Sequence, residues 1–168
     1  YFKITADITL PDARVPIGAL KAGATGTGQG TNIVPFSGTL DGGNHLITVP
    51  ENGLPLFGYV RYATIQNLKI YGTKIASYGL VNNYTVDYGI TGNYNDYTAN
   101  GLPLTVSINN VTLTSGSQTQ KAGLIGGYAS GANVVKISNS VVENNVIVGY
   151  DKVQASIGSF AGLVFIVT

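Results

Sequence analysis

The chain has 168 residues, 44% hydrophobic and only 10% charged, which is enough apolar length for one cored domain and excludes disorder by composition. Its formal net charge of +1 comes from lysines and arginines scattered singly between Lys3 and Lys152. That scatter excludes the basic stripe or arginine cluster that follows a nucleic-acid backbone, and the absence of cysteine excludes disulfides.

Without a methionine, Tyr1 reads as the start of a processed product or of a fragment of a longer chain. Phe2, Ile4, Ala6, Ile8 and Leu10 alternate with Lys3, Thr5, Asp7 and Thr9, a period of two that predicts a half-buried strand ended by Pro11. Residues 12–35 are rich in Gly, Thr and Ala, and the permissive run from Gly23 to Gly30 predicts a surface loop inserted before Phe36. Asp41 and His45 come next, the one acid and histidine close in sequence. With a single histidine, no cysteine and eight dispersed carboxylates, a transition-metal centre or a histidine-based triad lacks its other members. Asp41-Gly42-Gly43-Asn44 is therefore expected to be a tight turn, the Asp carboxylate accepting from backbone two residues on. We expect no catalytic residue, no metal and no cofactor.

From Leu54 onward two patterns alternate. One is a small-residue turn followed by aliphatics: Leu54-Pro55-Leu56-Phe57-Gly58-Tyr59, Tyr78-Gly79-Leu80-Val81, Ala122-Gly123-Leu124-Ile125 and Ala161-Gly162-Leu163-Val164. The other is Ile-x-Asn: Ile65-Gln66-Asn67-Leu68-Lys69-Ile70, Ile108-Asn109-Asn110-Val111-Thr112-Leu113 and Ile137-Ser138-Asn139-Ser140-Val141-Val142. In the second, the apolar alternation changes phase at the asparagine, and a flat strand would send half of those side chains into water. A corner at Asn67, Asn110 and Asn139 returns both halves to one interior, and asparagine is among the few residues that tolerate the left-handed backbone a corner needs. Ile65, Leu68, Ile70, Ile108, Val111, Leu113, Ile137 and Val142 are then predicted to face one continuous core, with the corner amides stacked in a ladder.

Between the first two Ile-x-Asn segments, residues 82–100 predict a second loop insertion. Tyr84, Tyr88, Tyr94 and Tyr97 interleave there with amides that include Asn93 and Asn95. Flat aromatic area with two-way hydrogen bonding suits a glycan or a protein of a host surface, so these residues are the candidate binding site. The alternative is that the tyrosines cover the flank of the core with their hydroxyls in water. The longest apolar run, Phe160 to Val167, falls short of the roughly 20 residues of a membrane span.

Short strands joined by corners and repeated in phase predict an all-β right-handed parallel β-helix as a single domain over 1–168. An antiparallel β-sandwich is the alternative, since turn signals about every ten residues would also fit it. The stretches Phe36-Ser37-Gly38-Thr39-Leu40-Asp41-Gly42-Gly43-Asn44-His45-Leu46-Ile47, Pro55-Leu56-Phe57-Gly58 and Ile65-Gln66-Asn67-Leu68 resemble those of bacterial surface proteins with GLUG-type repeats. The resemblance covers residues 1–70 well and 120–164 more loosely. It implies a secreted or cell-surface, adhesin-like structural module, with neighbouring domains of a longer chain as partners and no catalytic residue carried over. The departures are the two insertions and Ser140, which stands where the other copies have Leu68 and Val111.

Overall fold

The computed structural model describes residues 1–18, 36–76, 79–84, 105–121, 124–127 and 134–150. Among them there is no helix, and the chain is all-β with parallel pairing dominant. The strands are β1 (Phe2–Lys3), β2 (Ile8–Thr9), β3 (Phe36–Thr48), β4 (Phe57–Tyr71), β5 (Val81–Tyr84), β6 (Thr105–Leu113), β7 (Gln118–Thr119), β8 (Ile125–Gly127), β9 (Val134–Ser138), β10 (Val141–Val142) and β11 (Ile147–Val148). Every pairing between these strands is parallel.

Successive segments lie on one another as tiers: β1 and β2, then β3, β4, β6, and finally β9 with β10. Their registers place like residues in line. The first row runs Phe2, Leu40, Ile65, Ile108, Ile137. The second runs Ile8, Ile47, Ile70, Leu113, Val142. Because residues opposite one another in a parallel ladder point to the same side, each row is a continuous aliphatic column, aromatic only at Phe2. Leu40, Ile47, Ile65, Leu68, Ile70, Ile108, Val111 and Leu113 are buried in a single core, with Ile137 and Val142 half-buried against it.

The small-residue repeats form another ladder. Phe57 pairs with Val81 and Val81 with Ile125, while Phe57 N donates to Leu80 O and Leu80 N to Leu124 O. Leu56, Leu80 and Leu124 are buried beside it. A third, narrow ladder joins Ile75 to Thr119 and β7 to β11.

Three expectations need correction. The first ten residues do not make one half-buried strand: the chain is interrupted between β1 and β2, where Asp7 Oδ1 accepts from Leu46 N at 2.9 Å. Phe2 and Ile8, 60% and 41% exposed, stand in line with the two rows and, among the described residues, have a tier on one side only, while Ile4 and Leu10 are half-buried. The predicted loop over 12–35 is also too long, because Ile17 joins the Phe57 ladder, donating to Leu56 O and accepting from Gly58 N. Similarly, the insertion predicted over 82–100 does not include its first three residues. Asn82, Asn83 and Tyr84 continue strand β5, where backbone pairing with Tyr59 and Val60 outweighs the loop-like composition.

Candidate functional site

The polar chemistry of the described residues gathers along one edge of the tiers, where the chain turns between the two aliphatic rows. Asn67, Asn110 and Asn139 stand at the same place in β4, β6 and the β9–β10 connection, and take φ of 54°, 54° and 50°. Asn44, in β3, has φ 62° at the corresponding turn. This backbone costs an ordinary L-residue roughly 1–2 kcal/mol, a penalty that asparagine reduces by bonding locally.

Side-chain amides connect these corners. Asn67 Nδ2 donates to Asp41 Oδ1 at 3.1 Å, and Asn110 Nδ2 donates to Asn67 Oδ1 at 2.9 Å and Asn44 Oδ1 at 3.3 Å. At the last tier the ladder slips by one residue: Asn139 Nδ2 donates to Asn109 Oδ1 at 2.9 Å. Ser140 fills the corner there in place of an aliphatic, accepting from Val111 N at 3.2 Å and donating to Ser138 O at 2.9 Å.

Asp41 anchors the other end. Its Oδ1 accepts from Gly43 N at 3.0 Å, the local turn, and its Oδ2 from the Tyr1 hydroxyl at 2.9 Å and from Gln66 Nε2 at 3.4 Å. The Gly43 amide first, then the Asn67 amide and the Tyr1 hydroxyl, hold this carboxyl well below the usual carboxylate range. Tyr1 is raised in turn, chiefly by its bond to Asp41. The nearby histidine does not join Asp41. His45 Nδ1 lies 3.1 Å from Asp7 Oδ1, and Asp7 is lowered first by the Leu46 amide and then by His45.

A depressed folded pKa stabilises the fold above the unfolded value of about 3.9, and that contribution disappears as pH falls through the folded value. The difference in melting temperature between wild type and Asp41→Asn should therefore be largest above about pH 4 and close on further acidification. A gap independent of pH would show that the carboxylate charge does not matter to the corner.

The corners themselves are tested by Asn110→Ala and Asn110→Gly. Alanine should lose about 1–2 kcal/mol in urea denaturation, because it must hold a left-handed backbone and forfeits both amide bonds. Glycine forfeits the bonds but adopts this φ freely, and should lose less. Equal losses would place the whole effect in the amide ladder.

Chemically, this edge is a set of donors and acceptors bonded to one another. Among the described residues no three His, Asp or Glu side chains converge as a metal group would require, and no helix is long and apolar enough to cross a membrane. Of the predicted binding residues, Tyr84 ends β5, its backbone opposite Val60 and Gly127. Tyr88, Asn93, Tyr94, Asn95 and Tyr97 lie outside the described residues. Sequence reasoning missed the Asp7–His45 pair, whose members are far apart in the chain. It also missed Arg14, whose half-buried guanidinium donates to the carbonyls of Leu54, Pro55 and Leu56. No family model, no curated protein sequence and no solved structure matches this chain.

Proposed function

We propose that this chain is a right-handed parallel β-solenoid, a non-catalytic structural module of a secreted or cell-surface protein, akin to those with GLUG-type repeats, that holds loops out toward glycan or host surfaces. The observation that carries the reading is the pair of aliphatic rows kept in register through five tiers of parallel strands. Antiparallel sandwiches are built from hairpins, whereas parallel neighbours require the chain to travel around and return. The Phe57 ladder and the narrow Ile75 ladder supply that return path. A crossover of this kind is right-handed in nearly all parallel β units.

The polar edge supports a structural role. Asp41 and the corner amides are engaged in holding tiers together, which stabilises a stack in which each repeat contacts its neighbours. Contact with a partner then falls to the inserted segments, of which the one after Tyr84, with Tyr88, Tyr94 and Tyr97, carries the aromatic and amide chemistry.

A glycan array and a host-cell adhesion assay test this. Selective binding by the wild type, lost in the triple variant Tyr88→Ala, Tyr94→Ala, Tyr97→Ala at an unchanged melting temperature, is the expected outcome. A triple variant that loses several kcal/mol of stability, on the scale of buried aromatics removed from a core, would make the tyrosines packing residues. Release of unsaturated sugar products from an anionic polysaccharide would replace the structural reading with an enzymatic one.

A further inference from the structure

The Phe57 ladder begins on a short strap. Residues 14–18 lie along the start of β4, where Ile17 N donates to Leu56 O at 3.0 Å and Gly58 N donates to Ile17 O at 2.8 Å. Ile17 is thereby the first rung of the ladder that continues through Phe57, Val81 and Ile125. Little apolar area keeps the strap in place, since Val15 is 74% exposed and Ile17 43%. Two backbone bonds barely offset the entropy of ordering five residues, so the strap needs another hold.

Arg14 supplies it. The consecutive carbonyls of Leu54, Pro55 and Leu56 converge on its guanidinium: Nη2 donates to Leu54 O and, at 2.6 Å, to Pro55 O, and Nη1 donates to Leu56 O at 3.4 Å. The described residues place no carboxylate against this cation, and burial alone lowers its pKa, so the three carbonyl dipoles are what it answers to. A planar fork reaches acceptors spread in this way, whereas an ammonium is a point charge. Leu56 O accepts from Ile17 N as well, so the guanidinium and the rung meet on one oxygen. Gly58 is fitted to the same strap. A Cβ there would lie 2.5 Å from Gly18 O, 3.4 Å from Pro16 Cβ and 3.5 Å from Gly18 C, and all three of these nearest atoms belong to the strap.

We propose that residues 14–18 are a latched cover over the strand edge at Leu56–Gly58, and that the guanidinium of Arg14 is the latch. Closed, it ties the strap to the carbonyls of Leu54, Pro55 and Leu56. Open, the strap leaves as a unit while the tiers stay folded, and Leu56 O and Gly58 N become an unpaired edge of the kind that recruits another strand. Because Gly18 is the last described residue before segment 19–35, the latch also fixes where that insertion departs from the stack. The inference rests on the contacts of Arg14, Ile17 and Gly58, so it stands or falls separately from any glycan binding.

Native-state amide hydrogen exchange, read residue by residue, tests it. In Arg14→Ala the amides of Ile17 and residue 58 should exchange about tenfold faster or more, through loss of the charge-assisted bonds, while those of Ile65 and Ile108 keep their wild-type rates. Gly58→Ala should release the Ile17 amide in the same way with Arg14 untouched, because its added methyl group displaces the strap. Arg14→Lys should recover part of the protection that alanine loses, an ammonium reaching fewer of the three carbonyls. Unchanged exchange at Ile17 and Gly58 in Arg14→Ala overturns the proposal. So does faster exchange spread equally to Ile65 and Ile108, which would make Arg14 a support of the whole fold, or full protection in Arg14→Lys, which would make the charge and not the fork responsible.

Discussion

Replacing Ile108 with alanine should lower the free energy of unfolding by about 3 kcal/mol, the middle of the range for buried aliphatic truncations. Ile108 is fully buried in the middle of the first row, with Ile65 on one side and Ile137 on the other. Its backbone is held by ladders along both edges of β6, so the neighbours cannot move in to fill the space. The loss comprises both the transfer of the missing methylenes and the cavity they leave. Ile137→Ala gives the comparison, because its side chain is half-buried in the last tier and its truncation removes less covered area. Urea denaturation should rank the two accordingly. An Ile108→Ala variant within about 1 kcal/mol of wild type, below the usual cost of a buried isoleucine, would mean that the row is not a packed column.

Gly42→Ala should be damaging on a similar scale, for the opposite reason. A Cβ at Gly42 would collide with the Asn67 carbonyl oxygen and would lie 2.6 Å from Leu68 Cδ1 and 2.9 Å from Leu68 Cα. Two of those three atoms are backbone, fixed in the next tier, so a rotamer change cannot relieve the contact. Overpacking of this kind costs about 1–3 kcal/mol or more, and the displaced corner would also pull Asn67 away from Asp41. Gly38→Ala gives the contrasting case, a loss from backbone strain with no clash. Its Cβ would meet nothing within 4 Å, and only the φ of +128° opposes the change. If Gly42→Ala proves as mild as a surface substitution, tiers β3 and β4 are not in the close contact described.

The aliphatic rows were legible because asparagine marks a break in phase. Ile65 and Leu68, or Ile108 and Val111, can share an interior only if the chain turns between them, and they are buried together. Tyr62 was not legible as a corner, although its φ is 49°, because a bulky aromatic rarely takes that backbone and nothing in its type announces it. The Ile75 and β7–β11 ladder was invisible for another reason: two-residue strands are too short to display a period. At the first tier, alternation predicted one half-buried strand and did not place Phe2 and Ile8 in the rows; the registers with Leu40 and Ile47 do, and alternation does not report whether a second layer covers a side chain.

The candidate site divides in the same way. The Asp41 turn followed from local chemistry, an Asx carboxylate bonding the amide of Gly43. The partners Tyr1, Gln66 and Asn67 come from other tiers, and stacking alone brings them to the carboxylate. His45 shows the limit of reading by proximity: its neighbour in sequence is Asp41, yet the tier beneath presents Asp7 to its ring.

The most direct test of the stacked parallel architecture is the pattern of inter-strand nuclear Overhauser effects between β4, β6 and β9 in solution. Parallel, in-register tiers predict methyl contacts from Ile65 to Ile108 and from Ile108 to Ile137, amide contacts between the Asn67 and Asn110 side chains, and no strong Hα–Hα cross-peaks between these strands. Strong Hα–Hα cross-peaks pairing β4 with β6 in the antiparallel sense, with Ile65 and Ile108 out of contact, would contradict the account.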